Sequence, residues 1–131
     1  MNSLKGKVDK IQKHDYINQI RVDANGIYFN IITLQLPEGT NEGSEVTLIF
    51  KEAEIIITKD FGCFIGVENI IPSKVTNLKI GEVFCEVTLH SQCGDIKAII
   101  TTNSFRKIKI YIGERVYALI KANEIGLGGV E

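Results

Sequence analysis

The sequence predicts an all-β protein of two tandem five-stranded barrels, each with at most a short helical turn, and three observations carry that prediction. The 131-residue chain repeats itself once. Its β-branched and aromatic residues gather in short runs between turn signals. A repeat of this length is close to the lower size limit for an independent core, so the copies should lean on each other. Asn2-Ser-Leu4-Lys-Gly6-Lys-Val8 returns 67 residues later as Asn69-Ile-Ile71-Pro-Ser73-Lys-Val75. Ile49-Phe50-Lys51-Glu52-Ala53-Glu54-Ile55 returns 70 residues later as Leu119-Ile120-Lys121-Ala122-Asn123-Glu124-Ile125. Between them, Gly26 and Ile31-Ile32-Thr33 align with Gly94 and Ile99-Ile100-Thr101 at an offset of 68. That drift predicts one insertion in the hairpin before Gly94, and two residues missing between Thr33 and Gly43 relative to Thr101 and Gly113. Two units of this length read as paired small domains, since solenoid repeats are shorter and need about three units or more.

In the first copy the strands run from Leu4 to Lys13, Asn18 to Asp23, Ile27 to Thr33, Glu45 to Phe50 and Ile55 to Thr58. Ala24-Asn25-Gly26 makes a tight hairpin, because Asn and Gly tolerate positive φ. The second copy repeats the plan from Ser73 to Ile80, Val83 to His90, Ile96 to Thr101 and Arg115 to Ile120, with a short last strand near Ile125. Five short strands per copy suggest an OB-like barrel, whose closure removes the exposed edges that burden small β domains. In the segment Asn103-Ser104-Phe105-Arg106-Lys107-Ile108 a capping Ser or Asn predicts about one helical turn. The first copy has Leu36-Pro37-Glu38-Gly39 there, which shortens or removes it. The expected organisation is a barrel over 1–60, an apolar bridge over 61–68 and a second barrel over 69–131. The bridge residues Phe61, Phe64 and Ile65 are expected to pack across both barrels or against a second chain.

At 44% hydrophobic and 24% charged residues with two prolines, the chain is globular rather than disordered. A net charge of −1 removes the general electrostatic argument for nucleic acid. The basic run Ser104-Phe-Arg106-Lys107-Ile-Lys109 reads as a solvated face. Tyr28, Phe29, Phe84 and Tyr117 are scattered over both copies and do not form a base-stacking platform. No apolar stretch approaches the roughly 20 residues of a membrane span and the start lacks signal-peptide character, so a cytoplasmic protein is expected.

Three cysteines with no CxxC pair fit a reducing compartment. Cys85 sits in the apolar alternation Val83-Cys85-Val87-Leu89 and reads as a small core residue. Cys93, beside Gly94 in a turn, is expected to be exposed. His14 and His90 show no ligand spacing with either, so no metal is expected. No nucleophile has a base and an orienting partner, and no phosphate-binding or dinucleotide loop is present, so an enzyme is not expected.

Taken in order, Asn-x-Leu/Ile-x-Gly/Ser-x-Val, a Gly-containing hairpin, Ile-Ile-Thr, Gly-x-x-Val and Ile/Phe-Lys-x-x-Glu-Ile resemble the molybdate-binding TOBE, or Mop, domain. Ala118-Leu-Ile-Lys121-Ala122 with Ile100-Thr101-Thr-Asn-Ser104 is the most specific part. The resemblance covers nearly the whole chain in both copies. It implies a molbindin-like binding protein for molybdate or tungstate, with no organic cofactor, whose shallow sites lie where two such domains meet. By resemblance the oxyanion-binding residues are Thr101, Ser104 and Lys121 in the second copy and Thr33 and Lys51 in the first. The chemistry is coherent, because a tetrahedral dianion has only acceptor oxygens and needs converging N–H and O–H donors with a cation. One departure matters: the family's arginine before the conserved Asn is replaced by Glu68 before Asn69.

The reading is therefore intracellular storage, homeostasis or sensing of the oxyanion. Its alternative is a regulatory or assembly TOBE module that has lost the site and acts through a protein partner such as a transport ATPase or regulator. Weak cores and uncapped strand ends predict a homo-oligomer, at least a dimer.

Overall fold

Side chains at Asn2, Leu4 and Val8 point inward while those between them face out, so Asn2–His14 forms one long strand, β1. A bulge at Asp9 bends it, letting β1 pair with β4 (Glu45–Phe50) over its first half and with β2 (Ile17–Ala24) over its second. Thr76, 67 residues on, bulges in the same place in β6 (Asn69–Ile80). The computed structural model describes residues 1–60 and 65–129. The remaining strands are β3 (Ile27–Thr33), β5 (Ile56–Thr58), β7 (Phe84–Ser91), β8 (Gly94–Thr101), β9 (Arg115–Ile120) and β10 (Gly126–Leu127). The one α-helix among the described residues, α1 (Thr102–Ile108), follows β8. The architecture is all-β and OB-like, as the sequence predicts: two five-stranded antiparallel sheets.

Neither sheet is built from one copy alone. Their orders are β10-β4-β1-β2-β3 and β5-β9-β6-β7-β8. The last strand of each repeat therefore crosses to the other: Ile56 of β5 pairs with Leu119, and Gly126 of β10 pairs with Ile49. A 3-10 turn precedes each crossing, Glu52–Glu54 packing on β8 and Ala122–Glu124 packing on β3. Ile55 and Ile125, each 3% exposed, enter the shared core on the way across. Burying each contributes roughly 2 to 3 kcal/mol. After β5, Lys59 pairs with Glu114 at 2.9 Å and donates to the Lys109 carbonyl at 2.6 Å. The Lys59 ammonium holds the Glu114 carboxyl below its ordinary range. Phe61 and Phe64 of the expected bridge lie outside the described residues, and Ile65 is exposed.

Reciprocal hydrogen bonds join the two sheets around an approximate two-fold axis. Asn2 donates to the Lys97 carbonyl and accepts from its N–H, both at 2.8 Å. Asn69 does the same to Asn30, at 2.9 and 2.7 Å. Asn30 and Lys97 lie on β3 and β8, which are edge strands, so each Asn side chain occupies backbone groups that an edge would otherwise leave open. At the hairpin tips Asn25 donates to the Gln92 carbonyl and Gln92 to the Asn25 carbonyl, each at 2.8 Å.

The register corrects the repeat alignment. Ala24 pairs with Ile27 and Ser91 with Gly94, so both hairpins have two-residue turns and no insertion separates them. The first turn takes positive φ at Asn25 (52°) and Gly26 (91°), whereas the second takes it one position later, at Gly94 (124°). Matching glycine to glycine thus slips the alignment by one residue, which in a strand exchanges the two faces. The offset stays at 67 through β3 and β8, placing Thr33 with Ile100 and Leu34 with Thr101. It reaches 70 at Gly43 and Gly113, which donate to Val8 and Val75. Three extra residues, not two, therefore separate the copies here, and α1 occupies that segment.

Candidate functional site

The single turn expected after Thr101 is a seven-residue helix. Thr101 caps it, accepting from the Ser104 N–H at 3.1 Å and donating its hydroxyl hydrogen to Ser104 Oγ at 2.9 Å. That leaves the Ser104 hydroxyl hydrogen directed to other acceptors. Both residues are exposed and rim a hollow of about 410 Å³. Its other walls come from Ile99 and Ile100 of β8, Phe84 of β7, Ile108 of α1, and Ala53 and Ile55 to Ile57 of the first copy's crossing segment.

The exchange decides which copy the segment after each predicted lysine packs on. Lys51, at the end of β4, leads directly into the crossing segment beside Thr101 and Ser104. Lys121 leads instead into the turn packed on β3, the strand that ends at Thr33. Each predicted lysine thus precedes a turn that packs on the other copy, and Lys51 itself does not line the hollow. Both lysines are exposed, and neither belongs to an ion pair among the described residues.

Thr33 does not reproduce Thr101. Its hydroxyl is closed into a local turn, donating to the Gln35 carbonyl at 3.1 Å and accepting from the Gln35 N–H at 3.3 Å. The register equivalent of Thr101 is Leu34, 69% exposed and without a side-chain donor. The hydroxyl pair is therefore a property of the second copy. Lys107 also lines the hollow and was absent from the expected set. Its signal was the basic run after Ser104, one helical turn beyond the hydroxyls on α1. Glu68 is exposed.

Other groups are structural. Cys85 is buried against the Thr102 hydroxyl at 3.5 Å. Cys93 is half-buried rather than exposed, because its hairpin tip packs against the core shared by the two sheets; burial pushes its thiol up. Phe29 is core, while the exposed Tyr28 lies under Arg21 at 5.2 Å. Among the described residues no group of His, Cys, Asp and Glu is arranged to hold a metal ion, and no helix is long and apolar enough to cross a membrane.

Residues 66–127 match the TOBE domain family model. Among solved structures, the chain is similar to the cytoplasmic molybdate-binding protein ModG in a molybdate-bound form. The TM-score is 0.88 at 25% identity, over 98% of this chain and 95% of that one. The structures of ModG suggest a cooperative binding mechanism for that protein. No curated protein matches the chain in sequence.

Proposed function

From a chain that carries a TOBE domain over residues 66–127 and builds the same plan again from its first half, we propose a binding protein for a tetrahedral oxyanion of the molybdate or tungstate type, serving storage, homeostasis or sensing. The observation that carries this reading is the Thr101–Ser104 hydroxyl pair on the rim where α1 faces the crossing segment of the other copy. The likeness to molybdate-bound ModG supports it.

In this reading Ser104 donates to the anion, Thr101 holds Ser104 in place, and Lys51 supplies the cation from the crossing segment. Thr33 with Lys121 is the poorer counterpart, since Leu34 stands where a second hydroxyl would be needed. A neutral hydroxyl donor alone does not offset desolvation of a dianion, so the lysine is required. Exposed Ile56, Ile80, Val83 and Phe84 favour a homo-oligomer that covers this apolar rim.

Isothermal titration with molybdate, with sulfate as control, tests the reading. Binding at micromolar concentration or tighter is expected for molybdate. Ser104→Ala and Lys51→Ala should each weaken it by about tenfold or more, the equivalent of one charge-assisted hydrogen bond. Lys121→Ala should cost less than Lys51→Ala. Absence of heat and of any ligand-induced rise in melting temperature would sink the proposal. It would favour the second reading, a regulatory module acting through a partner such as a transport ATPase, which the exposed apolar rim and Glu68 support.

A further inference from the structure

Beside their hairpin tips the two copies present equivalent hollows of about 320 Å³ each, with contrasting charge. In the first sheet Lys7 on β1 stands opposite Glu45 on β4 and Asp23 on β2. At the same places in the second sheet, Lys74 on β6 stands opposite Arg115 on β9 and His90 on β7. Where the first copy has a row of acid, base, acid, the second has Arg, Lys and His.

Like charges directly opposite on neighbouring strands repel, and the first copy avoids this by alternating sign. The second has no carboxylate among the residues lining its hollow. Lys74 and Arg115 are exposed and make no ion pair with a described residue. His90 pairs with Asp95 at 2.8 Å, at the outer end of the row. Lys74 and Arg115 are therefore the two cations of the row without an anionic partner among the described residues.

We propose that the row Arg115, Lys74 and His90 is a second anion site, independent of the hydroxyl site at α1, and that it takes a compact polyphosphate. Three adjacent strands set the length of the row at about 10 Å. A single tetrahedral oxyanion is too short to meet all three bases, whereas linked phosphate groups spread their charge over such a span. Arg115 can receive two oxygens in its guanidinium fork, and Lys74 adds a point charge. The two sites are well separated: His90 pairs with Asp95, and Thr101 lies six residues further along β8, about 20 Å of strand. The first copy serves as an internal control, equal in volume and balanced in charge.

Isothermal titration with sodium tripolyphosphate, on protein shown to be folded by circular dichroism, tests this. One equivalent per chain is expected, bound more tightly than orthophosphate or molybdate at this site. Arg115→Ala and Lys74→Ala should each weaken binding about tenfold or more, while Lys7→Ala and Ser104→Ala leave it unchanged. No saturable binding by folded protein would overturn the proposal, as would equal weakening by Lys7→Ala. Tighter binding of a single-stranded oligonucleotide through the same residues would reassign the row to nucleic acid.

Discussion

Asn69 is 2% exposed, and its carboxamide is spent on one backbone unit of the other sheet's edge strand. Replacing it with Ala leaves the Asn30 N–H and C=O without partners at a partly buried place, which costs about 1 to 3 kcal/mol. Urea unfolding of Asn69→Ala should show that loss with an unchanged slope; a change within error would mean water takes over both bonds. The repeated Asn was visible in the sequence as the start of each copy, but its partner was not, since Asn2 reaches a residue 95 positions away. The two glycines misled for a definable reason. Both supply positive φ to a hairpin, at adjacent rather than equal positions, and only the ladder register separates those cases. Thr33 consequently looked like the counterpart of Thr101 when Leu34 is. Arg115, Lys74 and His90 are far apart in sequence and ordinary singly; the pairing of three strands makes them a row.

The long strands follow from alternating side chains and were legible because one face of each is buried, although β6 begins at Asn69, four residues before the expected Ser73. The short strands β5 and β10, three and two residues long, could be placed but not paired. Nothing local says which sheet a three-residue strand will join, and the exchange follows from where the preceding 3-10 turn packs. It makes each half an incomplete sheet. If the chain is divided between residues 60 and 61 and the halves are co-expressed, they should co-purify one to one, and neither alone should show a cooperative thermal transition. Halves that each fold alone with the stability of the whole would show that the exchanged strands add little. The helix was legible as a capping signal at Ser104 or Asn103. Its cap is Thr101, and its full length reflects the three residues that the first copy lacks.

At the scale of the molecule, two copies of one plan have kept their frame and divided their chemistry. The bulges, the edge-covering Asn residues and the Gly43 and Gly113 turns recur in both. The hydroxyl pair and the basic row occur only in the second. The exchange then brings a segment of the first copy to the second copy's hydroxyls, so the proposed oxyanion site belongs to the pair and not to either barrel. Its position is tested most directly by crystallising the protein with molybdate and mapping anomalous scattering at the molybdenum absorption edge. The expected peak is placed so that a molybdate oxygen lies within hydrogen-bond reach of Ser104 Oγ, facing the segment that follows Lys51. A fully occupied peak away from Thr101 and Ser104, or none at saturating molybdate, would contradict it.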